Sequence, residues 1–126
     1  IVGEDSSHVL SQYNEIDLAI NSAIKWNKVI VLKGPYTIIA FPSGHARLSP
    51  FANPGLSTAG TGDVLAGSIT GLLAQGLSLA DSSSIAVYIN GFAGETIKGS
   101  MGDTGMIASD LLNVLPKSIH EIKNHY

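Results

Sequence analysis

Apolar residues along this chain change their spacing several times, and each change marks an element. The first 13 residues carry no readable pattern. From Asn14, a good N-cap, Ile16, Ala19, Ile20, Ala23 and Ile24 recur at helical spacing with one buried face. Val29-Ile30-Val31-Leu32 is a short β-branched run ended by Lys33-Gly34. A strand buried on both faces reads this way, which suggests a parallel sheet. Thr37 to Phe41 predicts a second strand, Pro42-Ser43-Gly44 a turn, and His45 to Ser49 the returning partner of a hairpin. A loop from Pro50 to Thr61 precedes a helix with Leu65, Ile69, Leu72 and Leu73 on one stripe and Gly76 placed to end it. A further helix is expected after Asp81, with Ile85, Ile89, Phe92 and Ala93 facing inward. Another carries Ile107, Leu111, Val114 and Leu115, and Pro116 is placed to start a short terminal helix. The order is helix, strand, hairpin and four helices, an α/β pattern with strands at 28–33, 36–41 and 45–49. Sheets usually hold about five or six strands, so the chain reads as part of a larger domain.

Composition narrows the partners. Of 126 residues, 44% are apolar and 13% charged, the profile of a buried globular core rather than of disorder. The net charge is −3 and no basic block occurs, which argues against nucleic acid and anionic membrane. The absence of Cys removes disulfides and thiolate metal sites. No apolar run approaches the roughly 18 residues of a membrane span, and the N-terminus lacks signal-peptide regions. The expectation is a cytoplasmic protein.

Six of the 14 glycines fall between positions 55 and 76, where loop and helix meet. Asn53-Pro54-Gly55-Leu56-Ser57-Thr58-Ala59-Gly60-Thr61-Gly62-Asp63 is a small-residue loop that runs into a helix. Free N–H groups of a first helical turn, with the positive end of the helix dipole, form an anion site. Gly60 and Gly62 would let the backbone approach phosphate oxygens with no Cβ between. Asp63 at the helix start would either cap it or accept a proton beside the phosphate. An ordinary glycine-rich turn capped by Asp63 has the same spacing. Neither GxxxxGK[ST] nor a GxGxxG directly after a strand is present.

The same segment resembles the signature of the NAD(P)H-hydrate dehydratase family, a ribokinase-like group. Three further stretches agree, in order: Val31-Leu32-Lys33-Gly34-Pro35-Tyr36-Thr37-Ile38-Ile39-Ala40, Ala86-Val87-Tyr88-Ile89-Asn90-Gly91-Phe92-Ala93-Gly94-Glu95, and Gly105-Met106-Ile107-Ala108-Ser109-Asp110-Leu111-Leu112. The resemblance covers residue 14 to about 118. It implies a ribokinase-like α/β fold in which residues 1–126 form about half of the domain, its C-terminal portion. That portion would hold part of a mainly parallel sheet with a β-hairpin, flanked by helices. The missing N-terminal half would supply the remaining strands and much of the substrate pocket.

The resemblance also implies a reaction, the ADP- or ATP-driven removal of water from the S form of NADHX or NADPHX. Lys33, Gly34, Pro35, Tyr36 and Thr37 would line the adenosine end of the nucleotide. Asn53, Gly55, Ser57, Thr58, Ala59, Gly60, Thr61 and Gly62 would cradle its phosphates, and Asp63 would contact substrate and act as base. Mg²⁺ would be held by phosphates and waters, and a homo-oligomer is expected. Ser57-Thr58-Ala59 departs from the family, where glycine is more frequent, but by exchange among small residues. Two other functions fit the same residues: a ribokinase-like kinase acting on a small alcohol, and a regulatory module that binds nucleotide without turnover.

Other polar residues have plainer readings. None of His8, His45, His120 and His125 has ligand spacing with carboxylates, so no protein metal site is assigned. Lys33 taken alone would end a strand in solvent, and Trp26 would pack. Asp103 and Asp110 fall in a loop and at a helix start, where solvent or capping accounts for them. Asp110 could otherwise anchor the phosphate-binding helix.

Overall fold

A computed structural model describes residues 2–102 and 104–125, with side chains from Ser11 onward. Asp103 lies outside the described residues. Helix α1 (Val2–Trp26) leads into strands β1 (Ile30–Leu32), β2 (Ile38–Ala40) and β3 (Ala46–Leu48). A 3₁₀ turn (Pro54–Ser57) follows, then α2 (Thr61–Ala74), α3 (Leu79–Met101) and α4 (Ala108–His125). None of the described helices is long and apolar enough to cross a membrane.

The sheet order is β1-β2-β3, and both pairings are antiparallel, with Val31 opposite Ile39 and Ile39 opposite Arg47. The mainly parallel sheet expected from the sequence is therefore not formed by these three strands. The reason lies in the connections: residues 33–37 and 41–45 are short turns, whereas a parallel pair needs a crossover of roughly a dozen residues or more. β2 is buried on both faces because its side chains alternate between two layers. Ile38 and Ala40 pack with Ala19 and Ala23 of α1. Ile39 faces the other way, with Phe41, Leu65, Ala86 and Val87. A third cluster of Ala93, Ile97, Met106 and Leu111 joins α3 to α4 beyond the sheet.

Several boundaries differ from the sequence expectation. α1 begins at Val2 rather than Asn14, since Asn is only mildly unfavourable inside a helix. It ends where Asn27 turns left-handed (φ 51°), and Trp26 there is 58% exposed instead of packed. α3 starts earlier than expected because Ser78 caps it, its hydroxyl accepting from the Asp81 N–H. Its buried face is Ser82, Ala86, Ala93 and Ile97, while Ile85 is exposed. α4 is one helix that continues through Pro116, so among the described residues there is no separate terminal helix and three α-helices, not four, follow the hairpin. Proline removes the bond to the carbonyl four residues back, and Leu112 there is exposed, so water can take that carbonyl.

Candidate nucleotide site

The C-terminal end of β1 delivers Lys33 to the loop that precedes α2. Within that loop Asn53 caps the 3₁₀ turn: its Oδ1 accepts from the Gly55 N–H at 2.9 Å, and Pro54 opens the turn. The Leu56 and Thr58 N–H groups donate to the carbonyls of Asn53 and Gly55. Buried Thr61 closes the loop, its hydroxyl 2.6 Å from the Leu56 carbonyl and 2.8 Å from that of Thr58, donating to one at a time. Lys33 Nζ donates to that hydroxyl at 3.2 Å and to the Leu56 carbonyl at 3.3 Å. Strand end, turn and helix start are thus tied by one ammonium group.

Gly60 precedes α2 in a left-handed conformation, φ 89°, and offers no side-chain cap. A Cβ there would lie 3.0 Å from Ala108 Cβ, so the start of α4 packs directly on the loop. The N–H of Thr61 goes to the Thr58 carbonyl and those of Asp63 and Val64 to Gly60, while that of Gly62 has no partner among the described residues. Lys33 Nζ lies 3.5 Å from where a Gly62 Cβ would sit. An unpaired N–H, a helix N-terminus and an ammonium group thus converge, a donor set suited to an anion. Asp63 stands in the first turn of α2, exposed, and its carboxylate makes no hydrogen bond to the described residues, so it does not cap the helix. Asp110 does cap: its Oδ2 accepts from the Ile107 N–H at 2.9 Å.

Two openings border these groups. One, a groove of about 250 Å³, is lined by Gly34, Pro35, Ala52, Asn53, Pro54 and Ser57, so the two segments singled out in the sequence meet there. The other is a cavity of about 30 Å³ beneath the loop, bordered by Lys33, Thr37, Asn53 and Thr61 among others. Tyr36 is not with them; it lines a depression on the α1 side with Gln12 and Glu15. Asp63 borders neither opening. The sequence reading passed over Phe51 and Asn90, which also line the cavity. Asn90 was detectable as a polar residue on the stripe Ala86, Asn90, Ala93, Ile97; Phe51 gave no signal. No group of three His, Cys, Asp or Glu suited to a metal occurs among the described residues.

A glycine-rich loop entering a helix beside a strand-end lysine gives this α/β chain a candidate anion-binding loop. A family model described as NAD(P)H-hydrate dehydratase matches residues 4–117, and the chain belongs to that family. The bifunctional NAD(P)H-hydrate repair enzyme Nnr of Moorella thermoacetica is 38% identical over 112 residues, covering 89% of this chain and 21% of that protein. The ADP-dependent (S)-NAD(P)H-hydrate dehydratase of Bacillus subtilis is 35% identical over 106 residues, 84% of this chain and 38% of that protein. A crystal structure of the ADP/ATP-dependent NAD(P)H-hydrate dehydratase from Bacillus subtilis, co-crystallised with ATP/Mg²⁺ and soaked with CoA, superposes with a TM-score of 0.83 at 34% identity. It is matched over 87% of this chain and 41% of its own, so the present chain spans about two fifths of that relative.

Proposed function

We propose that this chain carries the nucleotide-binding and catalytic portion of an enzyme that uses ADP or ATP to dehydrate the S form of NADHX or NADPHX, restoring NADH or NADPH. The observation that carries this reading is the meeting of Lys33, the free Gly62 N–H and the start of α2 within a family of NAD(P)H-hydrate dehydratases. Lys33, Gly34, Pro35 and Thr37 take the adenosine end and Asn53 to Gly62 the phosphates, while Tyr36, turned to the α1 side, is left out. Asp63 removes the proton from the ring hydroxyl as its oxygen attacks the terminal phosphorus. AMP or ADP leaves, and the phosphate ester formed is then expelled as inorganic phosphate with loss of a ring proton. Donors fixed around the transferring phosphoryl group stabilise its charge without reorganising. Phosphates and waters, rather than a cluster of protein carboxylates, would hold Mg²⁺, which would supply charge neutralisation. The remaining wall of the substrate pocket comes from the N-terminal half of the domain.

Incubation with NADHX tests the reading. Recovery of NADH absorbance is expected with ADP or ATP present, with one inorganic phosphate released per NADH. Recovery independent of nucleotide contradicts it, and a stable phosphorylated product points to a kinase instead. A nucleotide-bound structure with phosphates more than about 5 Å from residues 60–63 also rejects it, because hydrogen bonds span roughly 3 Å.

A further inference from the structure

Thr61 is the first residue of α2 and only 3% exposed. Both of its donors are used within the chain. The backbone N–H goes to the Thr58 carbonyl at 3.2 Å, and the hydroxyl proton to the Leu56 or the Thr58 carbonyl, at 2.6 or 2.8 Å. A hydroxyl has one proton and two lone pairs, so with the proton on a carbonyl its oxygen can only accept. Lys33 Nζ donates to it at 3.2 Å. Ionised phosphate oxygens accept hydrogen bonds, so the Thr61 side chain has nothing left to give them.

We propose that Thr61 is a positioning residue: its hydroxyl holds the Lys33 ammonium at the start of α2, and it acts on the phosphates through that lysine, with no side-chain contact of its own. An ammonium group carries three protons. Two go to Thr61 Oγ1 and the Leu56 carbonyl, which leaves one for an anion. Nζ lies 3.5 Å from where a Gly62 Cβ would sit, so the held group stands over the unpaired Gly62 N–H. Lys33 is exposed on a long, flexible stem. Unheld, that stem would lose its rotamer freedom only on binding, and affinity would fall by that entropy. The Thr61 hydroxyl moves the ordering into the folding of the loop. The consequence for affinity rests on the nucleotide reading; the hold on the lysine does not.

A double-variant cycle on ADP affinity tests this. Thr61→Val keeps the shape and removes the hydroxyl, and should weaken ADP binding about 2- to 12-fold, the worth of one net hydrogen bond. Thr61→Ser keeps the hydroxyl and should bind within about twofold of the unsubstituted protein. Lys33→Met should weaken binding about 10- to 150-fold, the worth of a hydrogen bond to a charged group. With Lys33→Met already present, Thr61→Val should weaken it no further. Multiplying losses give Thr61 a role apart from Lys33 and overturn the proposal, as does unchanged ADP affinity in Lys33→Met. Should Thr61→Val fail to fold, Thr61→Cys takes its place, since a thiol is only a weak acceptor. Crystal structures without nucleotide read the lysine directly. Nζ is expected within about 3.5 Å of the Leu56 carbonyl in the unsubstituted protein and away from it in the variant that lacks the hydroxyl. An ammonium group that stays there in the variant overturns the proposal, whether or not ADP binds. Release of the lysine in a protein that never binds ADP counts against the nucleotide reading and leaves the hold of Thr61 on Lys33 standing.

Discussion

An exposed lysine normally gives its ammonium to water, but that of Lys33 is held by Thr61 and Leu56 above the start of α2. A cation kept beside a helix N-terminus is electrostatically unfavourable until an anion joins both. The exposed carboxylate of Asp63 stands in the same turn with no structural bond to make, so its sequence position is not accounted for by capping. A proton acceptor is the better account, since general-base catalysis contributes roughly 10²- to 10⁴-fold. Asp63→Asn is expected to lower turnover by about that factor, with ADP affinity unchanged or slightly tighter. Its stability should change by less than about 1 kcal/mol, because only the favourable charge at the helix start is lost. Steady-state kinetics, calorimetric binding and thermal melting check the three parts, and near-normal turnover would remove Asp63 from the mechanism.

Among the elements, α3 is built for close approach. A Cβ on Gly91 would overlap the Phe51 ring, and one on Gly94 would lie 3.1 Å from Leu56 side-chain carbons. Phe51 also meets Tyr88 and Phe92 edge-on, ring centroids 5.2 and 6.4 Å away. The loop is therefore seated on α3 by two apolar side chains pressed into glycine gaps. Gly91→Ala should destabilise the protein by about 1–3 kcal/mol, the usual range for overpacking, and displace Phe51 from the cavity wall. Urea titration measures the first effect; a variant as stable as the parent contradicts the close packing. The same helix shows why the sequence misled. Its buried face holds Ala93, as expected, but also Ser82, Ser83, Ala86, Gly91 and Gly94, small residues that carry little hydrophobic signal, so the larger Ile85 drew part of the expected face toward solvent. Periodicity succeeded on α2 for Leu65, Ile69 and Leu72, which pack against the sheet, but not for Leu73, which is exposed. The hairpin and the glycine-rich loop were legible from turn residues and small-residue density. The site's walls were not, because Phe51 and Asn90 reach it only through tertiary packing.

At the scale of the molecule, β1 pairs on one side only, leaving its other edge open among the described residues. Leu18, Trp26, Leu79, Ile85 and Leu112 are also exposed, and the chain spans about two fifths of its Bacillus subtilis structural relative. Open strand edges are normally covered or paired. These 126 residues alone are therefore expected to associate, or to need the remainder of the domain for solubility. Light scattering on the isolated chain checks this, and a stable soluble monomer is the contrary result. Within the chain, one close contact joins the glycine-rich loop to the tail helix. Gly60 has a left-handed backbone that few other residues adopt, and even a methyl there would press on Ala108. The two positions consequently share one steric allowance. As the sequence drifts over generations, a side chain at 60 is admissible only if the start of α4 at 108 gives way. Change at the glycine loop is thereby tied to the tail helix.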